Sequence, residues 1–440
     1  MKKHIVIIAL AGLLCSLVAN AEFSFKLADD ITLRLGGEVR LRYEGYSSSV
    51  VLPEVPRSRL HNTEYFRVRT RLDSALDFGE DITVNFSLAN RFHYVTTSFG
   101  DPNNNGASTW EFPDEVYIHT ANVVLRNLLD GNLTLTLGRQ DLMLGNGMIL
   151  AEGTPYDQGR SVYFDGITAK YKTEQDAVTA FVFYDSWKDR TVFINDRNRA
   201  LRAGDIFTAG IYATHNFSAP LNLDAYYLFN NVDVHAVDAS ISLHTAGLRV
   251  FGSAVGLEYG LEAARQFGRD ANDDELAGTM VDARLKYHLM QDSGVDPTVG
   301  VEFTHFSGDD AGSGRNRSWN PLLSQCPLWG EELLPVMLRG DWTNLNMVGA
   351  TFACNVTEQG KVVLYATDYQ ADESSAAVAG HPATGDGRHF GLLVGAMAAY
   401  QFPCVKGLAA QAWISHFMPG VFFANGHDSN WFRLELTYAF

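Results

Sequence analysis

From Phe432 to the end of the chain, two chemistries alternate. Phe432, Leu434, Leu436, Tyr438 and Phe440 fall on one face of an extended backbone, and Arg433, Glu435 and Thr437 fall on the other. A period of two specifies a strand with one apolar face. At the edge of a water-soluble sheet, such a strand is a template for aggregation. Against lipid it is not, because the apolar face meets hydrocarbon and the polar face lines an interior.

The other end supports a chain that leaves the cytoplasm. Lys2 and Lys3 precede the apolar stretch Ile5 to Val18, and Ala19-Asn20-Ala21 has the small-x-small form of a cleavage site. Residues 1–21 are therefore expected to be a signal peptide, with a mature chain starting at Glu22. The stretch falls short of the ~20 residues a spanning helix needs. Cys15 follows Leu14, where a lipoprotein signal wants a small residue, so no lipid anchor is expected.

Beyond the leader no apolar run approaches the length of a membrane helix, which excludes a helical membrane protein. The chain has 440 residues, among them 27 Phe, 18 Tyr and 7 Trp, enough to furnish aromatic girdles at two membrane interfaces. Its formal net charge of −17 disfavours nucleic acid as a partner. Without the leader, Cys326, Cys354 and Cys404 remain. Their number is odd, so one at least is unpaired within the chain, and a Cys354–Cys404 bridge is one pairing open to it.

Alternating segments recur along the whole chain, near 32–44, 64–78, 81–93, 115–126, 132–141, 162–173, 176–186, 205–215 and 222–232. They continue near 240–252, 255–266, 278–289, 296–306, 343–355, 360–370, 388–402, 406–417 and 430–440. Each is near the ~9–11 residues of a tilted membrane strand, or slightly longer. Connections tend to alternate between short ones, such as 78–81, 172–176, 252–255 and 402–407, and long ones, such as 45–63, 94–114, 142–161, 187–204, 307–342 and 371–387. This pattern predicts an all-β fold over 22–440. The expected form is a single antiparallel up-and-down transmembrane β-barrel of about 18 strands, with short periplasmic turns and long extracellular loops. The aromatic terminus at Phe440 has the form by which barrel-assembly machinery recognises its clients. That machinery and outer-membrane lipid are expected partners. Loop 307–342, the longest, is a candidate to fold inward as a plug.

Charge on the lipid face costs ~2–4 kcal/mol per Arg or Lys at mid-membrane, so the charged face of each strand must line the lumen. On that face lie Arg34, Glu38, Arg40, Arg42 and Glu44 in the first segment, Arg67, Arg69, Arg71 and Asp73 in the second, and Arg433 in the last. Closure brings the last strand beside the first, which predicts one basic wall. It either guides an anionic solute or is a ladder of ion pairs with Glu38, Glu44 and Asp73. Acidic residues concentrate elsewhere, in segments such as Asp270 to Glu275.

Other chemistry finds little support. Asp101 to Phe112 begins like a calcium loop but has Phe112 where a full loop needs Glu. No G-x-S-x-G elbow, HExxH or CxxC is present, so no catalytic residues, metal or cofactor are expected.

Two segments are more specific. Leu137-Gly138-Arg139-Gln140-Asp141-Leu142-Met143-Leu144-Gly145-Asn146-Gly147 and Tyr156 to Gly166, which contains Arg160 and Phe164-Asp165-Gly166, resemble the alginate-export family of outer-membrane barrels. Trp319-Asn320-Pro321-Leu322 resembles that family's aromatic-x-P-L segment. The resemblance implies an eighteen-stranded barrel with a narrow, arginine-lined pore for an anionic polysaccharide. By motif position it adds Arg139 and Arg160 to the pore-lining candidates. The chain departs at Met148-Ile149-Leu150-Ala151-Glu152, which is more apolar than the resemblance implies. The expected function is a channel passing an anionic polysaccharide or its oligosaccharides, working with periplasmic export or uptake partners. An uptake porin and a plugged structural or adhesive barrel are the alternatives.

Overall fold

A computed structural model describes residues 23–47, 63–98, 109–110, 114–152, 163–236, 239–291, 293–310, 314–321, 323–324, 342–374, 385, 387–424 and 426–440. Each of the eighteen alternating segments forms a strand. They are β1 Ile31–Ser47, β2 Thr63–Phe78, β3 Ile82–Ser98, β4 Val116–Leu128, β5 Leu133–Gln140, β6 Phe164–Lys172, β7 Asp176–Asp185, β8 Gly204–Ser218 and β9 Leu221–Val234. Then come β10 Ala239–Ala254, β11 Leu257–Arg269, β12 Thr279–His288, β13 Thr298–Phe306, β14 Leu345–Asn355, β15 Gly360–Ala371, β16 His389–Gln401, β17 Leu408–Pro419 and β18 Ser429–Ala439.

Each strand pairs antiparallel with the next, and β18 pairs with β1 to close the barrel. The seam runs from Glu38 opposite Ala439 to Ser47 opposite Asn430. Below it, the Gly37 N–H donates to the Phe440 carbonyl at 2.7 Å, and the Phe440 N–H to the Gly37 carbonyl at 3.0 Å. Closure gives each of the eighteen strands a partner on both sides. The sequence reading did not anticipate a short strand, Phe23–Ala28, which pairs with Ile31–Leu35 and continues the line of β18 past Phe440.

Burial is inverted relative to a water-soluble protein. Leu72, Ile167, Val182, Ile211, Leu248, Leu261, Val301, Val348, Ile414 and Leu434 are exposed on the outer face, while arginines and carboxylates are buried inside. Apolar side chains facing lipid lose nothing by exposure, and charges facing inward avoid the hydrocarbon.

At the outer end the lumen is filled by an apolar core. Strands contribute Phe164, Phe181, Phe183, Leu228, Met280, Phe306, Met347 and Phe417, and inward loops contribute Leu144, Met148, Ile149, Leu150, Trp319, Leu323 and Trp342. The described part of loop 307–342 thus folds inward as anticipated. Segment 142–152 does the same, which its place in the chain alone did not announce. Cys354 and Cys404 are free thiols, so no bridge joins them. Cys326, Arg160 and the Asp101 to Phe112 segment apart from residues 109–110 lie outside the described residues.

Candidate functional site

The lumenal faces of β1, β2, β3 and β18 carry eight arginines (Arg34, Arg40, Arg42, Arg67, Arg69, Arg71, Arg91 and Arg433) and five carboxylates (Glu38, Glu44, Asp73, Asp77 and Glu435). Register stacks like charges across the strands. Arg40 is opposite Arg69, Arg69 opposite Arg91, and Arg42 opposite Arg67. Directly opposed like charges destabilise a sheet, so the carboxylates that thread between them are needed to hold the wall.

The pairing is extensive. Arg34 bonds Asp77 at 2.6 and 3.0 Å. Arg42 bonds Glu435 at 2.7 Å, and Arg71 bonds Asp73 at 2.9 Å. Arg69 bonds Glu38 at 2.8 Å. Glu44 is shared: Arg433 donates to it at 2.8 Å, with Arg67 at 3.7 Å and Arg42 at 3.9 Å. Arg433 also stands over Trp413 and Trp431, at 5.5 and 4.8 Å from their ring centroids. An ion-pair ladder therefore exists, as the simpler reading of the sequence held, yet arginines outnumber carboxylates within it.

Access differs along the wall. The side chains of Arg34 and Arg71, toward the periplasmic end, are 39 % and 26 % exposed. Arg40, Arg42, Arg69 and Arg433, further up, are buried. The lumen is thus open to water below and narrow at the arginine rows above.

Across the barrel, β10 stands nine places round from β1. At mid-height, strands β9 to β13 place Asp224, Glu262, Asp282 and Glu302 inward, with Arg249 and Arg284 among them. Asp224 accepts from Tyr212 Oη at 2.6 Å and Arg249 at 2.8 Å. Glu262 accepts from Tyr226 Oη at 2.8 Å. Asp282 accepts from Thr304 and Arg284, both at 2.8 Å. One wall is thus richer in arginine and the opposite wall richer in carboxylate.

The inward loops are fixed to the acidic side. Arg249 donates to Asn146 at 2.9 Å, and Arg284 approaches Met148 Sδ at 3.5 Å. Gln266 makes two bonds of 2.8 Å to the backbone of Asn320. The loops also bind each other: Ser324 Oγ donates to the Gly147 carbonyl at 2.6 Å, and the Ala151 N–H to the Leu323 carbonyl at 2.8 Å. Gly145, at φ +56°, lies so close to Tyr212 Oη that a Cβ would sit 2.7 Å from it. The G-N-G turn is thus built for close approach to the wall.

Arg139 is a correction. It shares a face with Leu133, Leu135 and Leu137, and its register partner Asp165 is beside Ile167, which is exposed on the outer side. Gly138 occupies the inward position before it, at φ +117° and so near Ala121 that a Cβ would clash. The Arg139 guanidinium, 5 % exposed, grips both oxygens of Asp165 at 2.8 Å and donates to Asp189 at 3.1 Å and Thr191 at 2.6 Å. It also lies over the Tyr163 ring, 3.3 Å from the centroid. Burial works against the charge on Asp189. Nevertheless, Arg139 and hydrogen bonds from Thr191 hold its carboxyl below the usual carboxylate range. Next to it, Val192 and Ile194 pair with Tyr117 and Val116. Arg139 therefore pins a neighbouring outer loop across the short strands β5 and β6, outside the lumenal rows.

Among the described residues no group of three or more His, Cys, Asp or Glu is arranged to hold a metal ion. Asp270 is engaged by its own loop, accepting from the N–H groups of Asn272 and Asp274 and from Asn316.

The model of the family described as alginate export matches residues 32–433. Among solved structures, the chain is similar to Pseudomonas aeruginosa OccK7 (OpdD), with TM-score 0.60, 14 % identity and coverage of 94 % of this chain and 99 % of that one. It is also similar to Acinetobacter baumannii OccAB1, with TM-score 0.59, 13 % identity and coverage of 92 % and 96 %. For P. aeruginosa OprD the values are 0.54, 11 %, 92 % and 93 %. At such identities the likeness establishes the fold alone. No curated protein sequence matches.

Proposed function

The chain belongs to the alginate-export family and is an outer-membrane β-barrel channel, and on that premise we propose that it passes an anionic polysaccharide or its oligosaccharides. Arg34, Arg40, Arg42, Arg67, Arg69, Arg71 and Arg433 form the electropositive side of the path. The observation that carries this reading is the division of the lumen: the inward loops are seated on the acidic wall, which leaves the arginine rows as the side a solute slides along. Fixed guanidinium groups attract carboxylates along a chain while many weak contacts allow it to move on. No bond is broken and no cofactor takes part. Residues 1–21 act as the export signal, barrel-assembly machinery reads the terminal strand, and periplasmic partners set the direction of transport.

Planar-bilayer recordings under a salt gradient test the proposal. The expected result is a reversal potential of anion preference and current block by uronate oligomers from the periplasmic side. Cation preference, or no block by uronates when neutral oligosaccharides do block, would overturn it. The latter outcome would favour an uptake porin for neutral sugars.

A further inference from the structure

We infer that the outer surface of β9 to β12 holds the phosphate of an outer-leaflet lipid on Arg265, with an acyl chain in the groove beneath. Arg265 shares a face with Leu261, Ala263 and Phe267, the face that meets lipid. Its register partners are Ala246 on β10 and Thr279 on β12. Among the described residues no acceptor engages its guanidinium. Elsewhere on the outer face, His389 lies 2.8 Å from Asp368, His416 3.6 Å from Asp428 and His305 3.8 Å from Asp372. Arg265 differs from them in lacking an acid.

Its height is informative. Tyr287 on β12 is eight residues below the partner of Arg265, roughly 20 Å along the membrane normal for a strand tilted by about 40°. Just above Arg265, His244 stacks on Phe267 with centroids 5.0 Å apart and lies 4.9 Å from Phe229. Aromatic rows of this kind mark a membrane interface. The guanidinium therefore sits at the outer headgroup level, where an unpaired arginine is tolerable and a phosphate is its best partner. The planar fork of arginine matches phosphate oxygens two at a time. Tyr227, hydrogen-bonded to His244 at 2.6 Å, adds a hydroxyl nearby.

Below the guanidinium the wall is recessed. Ala225, Ala246, Leu248, Ala263 and Val281 line an open groove of about 600 Å³. Small side chains at successive outward positions leave a trough that an acyl chain fills. Charge above and hydrocarbon below fit a phosphate-headed lipid better than a free anion. This inference concerns the outer surface and stands apart from the reading of the lumen.

Native mass spectrometry of the full-length protein tests it, with bis-phosphorylated lipid A and its dephosphorylated counterpart as probes. Wild type should retain the phosphorylated lipid about ten-fold more tightly. Arg265→Ala should lose that preference, and Arg265→Lys should keep part of it. Ala246→Phe, which fills the groove without changing charge, should weaken retention of both lipids. Conductance should be unchanged in all three, which also reports correct folding. If Arg265→Ala failed to fold, the comparison of Arg265→Lys with Ala246→Phe would decide. Equal retention of the two lipids by wild type, or full displacement of the lipid by inorganic phosphate, would overturn the inference.

Discussion

Arg139 and Asp165 are register partners on β5 and β6, joined by two parallel hydrogen bonds of 2.8 Å. They belong to the two sequence segments that carry the family resemblance, the G-R-Q-D strand end and the F-D-G strand start. The ion pair explains why these segments go together. Strands β5 and β6 are short, and the pair fastens their upper ends while Asp189 and Thr191 draw the next outer loop over them.

Removing Arg139 should therefore damage stability more than transport. Arg139→Ala leaves Asp165 without its cation and Asp189 as a buried, uncompensated charge, a situation that costs about 3–5 kcal/mol. Arg139→Lys should recover only part, because one ammonium cannot span two carboxylates and a hydroxyl in a planar fork. Urea unfolding in lipid vesicles measures both. An Arg139→Ala barrel as stable as wild type, but with altered ion selectivity, would return this residue to the pore.

Arg34 and Arg71 should control selectivity at little structural cost. Both are partly exposed, and ion pairs in such positions are worth ~0–1 kcal/mol. Arg34→Gln with Arg71→Gln should shift the reversal potential toward cations in dilute salt. The shift should fade near 1 M salt, where the screening length falls to about 3 Å. A shift that persisted at high salt would point to altered pore size instead.

Much of this architecture was legible from periodicity, because lipid on one side and water or charge on the other impose alternation on every strand. The seam between β18 and β1 followed from the same logic: Leu434 and Leu436 face out, while Arg433 and Glu435 face in. Face assignment failed at Arg139, where motif position was used and parity was not. Counting back through Leu137, Leu135 and Leu133 puts Arg139 outside. The acidic wall was missed for a different reason. Asp224, Glu262, Asp282 and Glu302 occur one per strand, and single charges draw less notice than the rows in β1 and β2. The inward loop had a signal in its composition: Leu144, Met148, Ile149 and Leu150 are too apolar for a solvated loop. Phe23, Phe25 and Leu27 also alternate, and would have revealed the additional short strand.

The inward loops should limit conductance. Trp319 is buried between the barrel wall and the paired loops, 6.2 Å from Phe306 by ring centroids. Trp319→Ala opens a cavity there without touching any ladder hydrogen bond. The core loses about 3–5 kcal/mol of packing, enough to loosen the loops while the barrel itself stands. Single-channel conductance should rise by roughly two-fold, with more open-state noise, as a constriction widens. Conductance identical to wild type would show that the narrowest point lies elsewhere, among the arginine rows.

Glu44 and Arg433 should show strong coupling, because they join the last strand to the first across the seam of the barrel. Glu44 is 1 % exposed and receives Arg433 at 2.8 Å, with Arg67 and Arg42 within 4 Å. Glu44→Ala leaves three guanidinium groups around a vacant position at the seam, and a loss of about 3–5 kcal/mol is expected. Arg433→Met removes one of those cations and keeps a side chain able to pack on Trp413 and Trp431. The double variant should therefore be less destabilised than the sum of the singles by at least about 1 kcal/mol, the coupling expected of neighbours in one network. Urea midpoints of the two single variants and the double variant give this difference directly. Strictly additive effects would mean that the seam is held by backbone pairing alone and that Glu44 serves the lumen.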